Sequence, residues 1–324
     1  MKTRVLLLCL LSAAVVGASP WLGRSLEGDT GRFILENLRI PRVLMAVLVG
    51  GTLSLVGACY QTIFANPLAA PSTVGTTAGA TLGALVAVVA APALGISLAS
   101  GLPMIAALAF VGALLVSLAI AAIAARGKAR VNDILLAGIA ISLAAAAIST
   151  GLQFSADQMQ LYAAIQWTLG HLPQVGYRGV VMLLPFVAIC WVVLLSQTRA
   201  LQTLLGGEER AHSQGVNVPW LRSLVLGVGA LGVGACVAWC GPIAFIGLIV
   251  PHMVRMGVGA SRRVMLPMSV VLGAGFLTAC DTVARLIVVG RELPVGVVTS
   301  AIGAPLLVWL VVRQGSSRGT HKSS

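Results

Sequence analysis

The sequence contains very few charged residues. Asp, Glu, Lys and Arg together make up 9% of the 324 residues, whereas hydrophobic residues make up 58%. An ordinary soluble domain carries about 25% charged residues, so this chain lacks the polar surface that a water-facing globule needs. The composition therefore predicts a single integral membrane domain over residues 1–324, with no separate soluble domain.

Three motifs of catalytic sites are also missing. The one Gly-Lys pair, Gly127-Lys128, is followed by Ala129 and has no earlier glycine at the spacing of a phosphate loop. Neither a His-Glu-x-x-His pair nor a Gly-x-Ser-x-Gly turn occurs. The sequence therefore gives no support for a zinc protease or an esterase. We therefore expect a chain that is not an enzyme and has no catalytic residue, metal site or bound cofactor.

The cysteines give no sign of a disulfide framework or a zinc site. All six lie inside apolar stretches, where neither is expected: Cys9, Cys59, Cys190, Cys236, Cys240 and Cys280. Cys236 and Cys240 share a helix face and are either a pair of soft-metal ligands or small packing residues. We favour packing.

Apolar runs recur along the chain, each long enough for the roughly 20 residues that cross a bilayer as a helix. The first, residues 1–21, has the features of either a retained span or a cleavable signal peptide. We favour a retained span because it brings the total to about ten. The other predicted spans are 43–63, 74–98, 102–125, 131–155, 177–196, 221–240, 243–257, 264–288 and 295–313.

The formal net charge of +12 is explained by membrane orientation better than by nucleic-acid binding, because the basic residues are scattered between apolar runs. With a cytoplasmic N-terminus, fourteen basic residues fall inside: Lys2, Arg4, Arg126, Lys128, Arg130, Arg199, Arg210, Arg222, Arg255, Arg262, Arg263, Arg313, Arg318 and Lys322. Seven fall outside: Arg24, Arg32, Arg39, Arg42, Arg178, Arg285 and Arg291. Both termini are then predicted to be cytoplasmic.

Most acidic residues map to loops or span ends. Asp133 and Asp281 are the exceptions, and Asp281 can pair with Arg285 one helical turn later. An ion-coupled carrier needs ionisable groups deep in the bilayer, so we expect the energy source to lie outside this chain.

One long cytoplasmic segment, residues 197–222, contains the polar stretch Gly206 to Asn217. It is too polar to enter lipid and too short to form a domain. A short surface helix capped by Gly215 fits this pattern.

Several motifs occur in a fixed order along the chain. They are Arg39-Ile40-Pro41-Arg42; Gln61 to Pro71, with Asn66-Pro67; Gly241 to Arg255, with Pro251-His252; Asp281-Thr282-Val283-Ala284-Arg285; and Leu293 to Thr299 followed by Gly303-Ala304-Pro305. This ordered set, over residues 39–312, resembles the FecCD-type permeases, the iron-siderophore, haem and cobalamin branch of ABC importers.

The resemblance implies an all-α, ten-helix type II permease whose second-to-fifth and seventh-to-tenth spans form an inverted pseudo-repeat. It implies location in the bacterial inner membrane and a dimer with a second copy or close paralogue. Two cytoplasmic ATPases and an extracytoplasmic binding protein are the other implied protein partners, besides membrane lipid. The implied cargo is an iron-siderophore or related metal chelate moved by alternating access. Haem and cobalamin are the alternatives, and an ion-coupled secondary carrier is the alternative from another class.

The resemblance also assigns roles to individual residues. Arg39, Arg42 and Arg285 are implied to dock acidic residues of the binding protein. The polar stretch resembles the helix that couples to the ATPases, and the residues implied to give it its contacts or shape are Glu208, Glu209, Ala211 and Gly215. The family usually has Leu where this chain has Gln214.

Two proline motifs are either gates or cytoplasmic helix stops, because a proline frees a carbonyl and disfavours helix before it. Their residues, with neighbouring polar groups, are Gln61, Asn66, Pro67, Pro251, His252 and Arg255. His171 replaces a serine of the family pattern near the predicted outer mouth, where it either touches a metal complex or caps a turn.

Overall fold

The computed structural model describes residues 2–23, 28–93, 95, 102–125, 131–288 and 292–319. Several residues used in the charge count lie outside the described residues: Arg24, Arg126, Lys128, Arg130, Arg291 and Lys322.

The described part of the chain is all-helical. Its α-helices are α1 Lys2–Ala18, α2 Gly28–Ile34, α3 Ile40–Ile63, α4 Thr76–Ala93, α5 Leu102–Ala125, α6 Val131–Ser155, α7 Gln158–Thr168, α8 Gly176–Ser196, α9 Thr198–Leu204, α10 Glu208–Ser213, α11 Val218–Cys240, α12 Ile246–Val258, α13 Arg262–Leu286 and α14 Val295–Gly319.

Ten apolar helices in the described residues correspond to the ten predicted spans. Seven are long and apolar enough to cross a membrane, namely Lys2–Trp21, Gly28–Ile63, Met104–Ala125, Val131–Ser155, Gly176–Ser196, Val218–Cys240 and Arg262–Leu286. Three are shorter: Thr76–Ala90, Ile246–Val258 and Val295–Trp309. The predicted multi-span all-helical fold is confirmed.

The second span begins earlier than the predicted residue 43. A π-helical turn, Leu35–Arg39, joins α2 to α3, so Gly28–Ile63 forms one helical run of 36 residues. Pro41 has no N–H for the carbonyl of Asn37, and its ring crowds that carbonyl. The backbone widens instead, and Ile40 N–H bonds to the Leu35 carbonyl five residues back.

Helix α1 packs along α13 as an integral part of the bundle. The two backbones are so close that a Cβ at Gly275 would lie 3.0 Å from the Ser12 Cα. Beyond the end of α1, the buried Ser19 shares a hydrogen bond of 2.7 Å with Thr282. Helix α1 thus packs as one of the bundle helices, and the retention of residues 1–21 stays a prediction.

Helix α7 was not predicted from the hydrophobic pattern. It begins with a capping box in which Asp157 Oδ1 accepts from Gln160 N–H at 2.8 Å and Gln160 Oε1 accepts from Asp157 N–H at 3.0 Å. An acidic N-cap with Gln three residues later is a sequence signal for a helix start. The start of α7 could therefore have been predicted from Asp157 and Gln160.

Helix α3 lies at the centre of the bundle, and glycines bring its backbone against two neighbours. A Cβ at Gly57 would lie 1.8 Å from the Gly247 carbonyl oxygen of α12, and one at Gly50 would lie 2.3 Å from the Gly273 oxygen of α13. Small residues permit such close approach where lipid provides no hydrophobic drive between helices. Movement of α12 or α13 is therefore mechanically linked to α3.

The cysteines are free thiols, and five of them pack in this core: Cys59, Cys190, Cys236, Cys240 and Cys280. This agrees with the interpretation of these residues as small packing groups.

The bundle has two distinct ends. One carries Arg42, Asp281 and Glu292 and is called the ion-pair end. The opposite end carries α10 and is called the coupling end, because Glu208 of α10 contacts Arg222 there. The predicted docking arginines and the predicted coupling segment thus lie at opposite ends of the bundle.

Candidate docking, gating and coupling sites

Arg42 is the centre of a buried ion-pair network at the ion-pair end. Its Nε and Nη2 each lie 2.9 Å from Asp281 Oδ1, and its Nη1 lies 2.5 Å from Glu292 Oε2. The Arg42 side chain is 8% exposed and that of Asp281 is 1% exposed, whereas Glu292 is 48% exposed. Arg42 therefore joins α3 to both ends of the α13–α14 connection.

Arg285 uses the second oxygen of the same aspartate. Its Nε lies 3.2 Å from Asp281 Oδ2, which confirms the i,i+4 pair expected from the sequence. Its Nη2 also donates to the Ser19 carbonyl at 3.1 Å. Two arginines sharing one buried carboxylate offset the cost of removing that charge from water.

The three predicted docking arginines are close together but engaged within the subunit. Arg39 Nη1 donates to the Pro20 carbonyl at 3.0 Å, beside the segment that Arg285 holds. Their docking role stays a prediction. The structure adds a second role for Arg42 and Arg285, which is to hold α1, α3 and α13 together at this end.

His171 lies where three irregular segments meet beside this network. Its backbone N–H donates to the Cys240 carbonyl at 2.8 Å, and Gly296 N–H donates to the Gly170 carbonyl at 3.1 Å. Burial and the nearby charge of Arg42 lower the pKa of the His171 imidazole, so it is neutral at pH 7. This geometry fits a residue within a packed turn, and contact with a cargo is untested.

Glycine is required at this meeting point. Gly170 has φ +69°, and a Cβ there would lie 2.3 Å from the Pro242 carbonyl oxygen. Gly241, with φ +67°, approaches the Trp167 carbonyl oxygen equally closely. Only a residue without a side chain fits either position.

Among the proposed gate residues, the structure brings Gln61, Pro251 and Arg255 together. Pro251 has no N–H for the Gly247 carbonyl, and Gln61 Nε2 of α3 lies 3.5 Å from that oxygen and 3.2 Å from the Leu248 oxygen. Arg255 Nη2 donates to Gln61 Oε1 at 3.2 Å. Gln61 thus donates to the carbonyl that Pro251 leaves without its helical partner. Its side-chain oxygen accepts a hydrogen bond from Arg255, one turn after the proline.

The interpretation of Pro251-His252 as a helix stop is wrong. Helix α12 continues through Pro251 to Val258, with His252 partly buried one turn before Arg255. Pro185, Pro267 and Pro305 likewise lie inside helices; at Pro251 the freed Gly247 carbonyl has a donor from α3, Gln61.

Asn66-Pro67, in contrast, follows the end of a helix. Helix α3 ends at Ile63, and Asn66 Oδ1 accepts the Leu68 N–H at 2.9 Å in a turn. Ala65 before it has φ +47°, which an L-residue rarely adopts. The motif thus lies in a turn after the helix end, and its role as a gate stays a prediction.

A cavity of about 130 Å³ lies between the segment after α3 and the start of α12. Its lining is small, apolar or hydroxylic: Leu53, Ala70, Pro71, Ser72, Thr77, Val237, Ile243, Ala244, Phe245, Gly247 and Leu248. Phe245 has φ +69° and starts α12 from a left-handed conformation. Irregular backbone inside a membrane bundle is tolerated where it is buried in protein or lines a cavity.

The predicted coupling segment forms the expected short helix, α10. Gly215 has φ +81°, its N–H donates to the His212 carbonyl at 2.9 Å, and Val216 N–H donates to the Ala211 carbonyl at 2.9 Å. This pair of bonds is the Schellman ending, so the prediction of a Gly215 cap is confirmed.

The side chains of α10 divide into an anchoring and an exposed set. Ala211 is fully buried against the bundle, whereas Glu209 is exposed. Glu208 Oε1 lies 2.6 Å from Arg222 Nη2, and Arg222 Nε donates to the Ile63 carbonyl at 3.2 Å. Arg222 therefore links α10 to the last turn of α3, two residues from Gln61.

Comparison with known proteins identifies the family to which this chain belongs. The model of the FecCD transport family matches residues 4–313. The chain belongs to the FecCD family of ABC importer permeases. The hemin transport system permease HmuU of Yersinia pestis is 36% identical over 318 residues, covering 97% of this chain and 95% of that protein. The vitamin B12 import permease BtuC of Serratia proteamaculans is 35% identical over 329 residues, covering 97% and 94%.

A solved structure confirms the fold. A metal-chelate type ABC transporter in an inward-facing conformation superposes with a TM-score of 0.84 at 29% identity, covering 97% of this chain and 100% of that chain. The FecCD permease described here thus has the type II importer fold. It is a transport subunit and not itself an ATPase. FecCD membership also decides against the ion-coupled carrier.

Proposed function

We propose that this permease moves an iron-siderophore complex or a related metal chelate into the cytoplasm by alternating access. The observation that carries the proposal is the cargo class of its relatives, which are named for hemin, for vitamin B12 and for metal chelates. These cargoes share one chemistry, a metal held inside an organic ligand. Ferric siderophore is our first choice, and haem and cobalamin are the alternatives.

The pathway for such a cargo lies between two subunits. The internal cavity of about 130 Å³ is smaller than the roughly 300–1,000 Å³ of ordinary ligand pockets. Helix α6, in contrast, exposes a stripe of small residues, Ala140, Ala144, Ala147 and Gly151. A second copy or close paralogue facing this stripe would complete a pathway lined by small side chains.

ATP-driven movement would enter the subunit through α10. Two cytoplasmic ATPases would engage its exposed face, and the Glu208–Arg222 contact would pass a displacement to the end of α3. Gln61 and the close Gly57–Gly247 contact then couple α3 to α12, which contains Pro251. A helix with one backbone bond supplied from outside is a suitable hinge.

The ion-pair end would face the binding protein. Permanent charge and a planar fork suit Arg39, Arg42 and Arg285 to acidic partners. With this orientation both termini would be cytoplasmic, in agreement with the excess of basic residues predicted on that side. The membrane would be a bacterial inner membrane, as it is for bacterial relatives.

Uptake measurements in cells test the cargo. Cells lacking this chain, and the same cells complemented with it, would be given labelled ferric siderophore, haem and cobalamin in turn. We expect selective loss and recovery of ferric siderophore uptake. Selective loss of haem or cobalamin would replace the siderophore assignment, and undisturbed uptake of all three in the strain without the chain would contradict the proposal.

A further inference from the structure

An open groove of about 500 Å³ lies at the coupling end, where α8 meets α9 and the start of α13. Its lining consists of Leu195, Ser196, Thr198, Arg199 and Arg263. Both arginines are exposed, and neither guanidinium has an ion pair or hydrogen bond to another described residue. The groove therefore concentrates two positive charges without a counter-charge from the described part of the subunit.

The groove continues an exposed apolar stripe along α8. The stripe members recur at helical spacing, and all are exposed: Val181, Pro185, Ala188 and Val192, followed by Ser196 and Arg199. Val181 is 65% exposed and Val192 is 69% exposed. In a membrane-spanning helix, such a surface faces acyl chains, and a polar end marks the depth of the headgroups.

Charge argues against a second copy of this chain as the occupant. A twofold interface would place the same patch on both subunits and bring four arginines together without added acidic groups. An anionic ligand with an apolar body matches both halves of the surface.

We propose that this groove binds the phosphate of an anionic phospholipid, with the acyl chains along the α8 stripe. Arg199 and Arg263 bind the headgroup oxygens from two different elements, α9 and α13. Arginine forks suit phosphate oxygens because they donate paired hydrogen bonds. Zwitterionic lipid also has a phosphate, but its cationic group cancels the net charge that the two arginines attract.

The bound lipid would also brace the segment that leads to α10. Gln202 of α9 accepts the Arg262 backbone N–H at 2.6 Å, directly beside Arg263. A headgroup held by Arg199 and Arg263 adds a second link between α9 and α13. Any effect on ATP hydrolysis depends on the proposed coupling function, whereas lipid binding does not.

Native mass spectrometry of the purified permease, titrated with phosphatidylglycerol or phosphatidylcholine, tests the site. The double variant Arg199→Gln/Arg263→Gln should lower the apparent affinity for the tightest phosphatidylglycerol by about thirtyfold, the effect of losing two basic residues near the membrane surface. Phosphatidylcholine binding should not change. Arg178→Gln is the matched control, because Arg178 is an exposed arginine near the opposite end of α8, and it should leave both titrations unchanged.

Two further arms separate the alternatives. Arg199→Lys/Arg263→Lys retains charge and should keep most of the preference for phosphatidylglycerol, so a general loss of fold cannot imitate the result. Inorganic phosphate at millimolar concentration should not displace the lipid. Unchanged phosphatidylglycerol affinity in the Gln double variant, displacement by phosphate alone, or loss of ATPase association with lipid binding intact would each overturn the proposal. The last outcome would assign the groove to the ATPase.

Discussion

Replacing Asp281 with Asn removes the carboxylate that two arginines share at the ion-pair end. Breaking a buried ion pair by removing one partner costs about 3–5 kcal/mol. Arg42 keeps Glu292 and Arg285 keeps the Ser19 carbonyl, so we expect the lower figure, about 3 kcal/mol of unfolding free energy. Asn has nearly the same shape as Asp, so the loss reports charge and not a cavity.

The assay is reversible unfolding by sodium dodecyl sulfate in mixed micelles, followed by a spectroscopic probe. Glu36→Gln is the matched control, because it removes one carboxylate from the exposed Arg32–Glu36 pair, whose side chains are 79% and 51% exposed. That change should cost at most about 1 kcal/mol. Equal costs for the two variants would refute the view that the Arg42–Asp281–Arg285 network holds this end together.

Arg39→Glu should weaken binding-protein docking, measured by surface plasmon resonance, while ATPase association stays intact; unchanged docking would remove the docking role. Deleting residues 208–215 should abolish binding-protein-stimulated ATP hydrolysis by the assembled complex, and normal stimulation would contradict the coupling role of α10. Gly57→Ala should cost about 3 kcal/mol by overpacking, because its Cβ would meet the Gly247 carbonyl at 1.8 Å. Gly227→Ala, with no heavy atom within 4 Å of its Cβ, should be nearly neutral in the same unfolding assay, and a similar cost for both would contradict this packing argument.

The membrane spans were predictable because each apolar run is long and is interrupted by glycine, proline or charge. The Asp281–Arg285 pair was also predictable, since residues four apart share a helix face. The α10 helix and its Gly215 cap follow from a local rule, that glycine accepts the left-handed conformation at a helix end. All of these features depend on neighbours in the sequence.

Features that depend on distant residues were not predictable in this way. Arg42 binds carboxylates 239 and 250 residues away. The residues near Arg42 in the sequence therefore do not indicate that it is buried. The contact between Gln61 and the carbonyl freed by Pro251 joins two helices that are 186 residues apart in the sequence. Helix α7 is different, because its capping box at Asp157 was visible in the sequence but lay between two predicted spans.

The most direct test of the account is transport by the reconstituted complex. Permease, ATPases and binding protein would be placed in proteoliposomes, and uptake of labelled ferric siderophore would be measured with ATP on the ATPase side, with and without an uncoupler. We predict uptake that requires ATP, survives the uncoupler and is lost when residues 208–215 are deleted. Uptake that proceeds without ATP and collapses with the uncoupler would contradict the account.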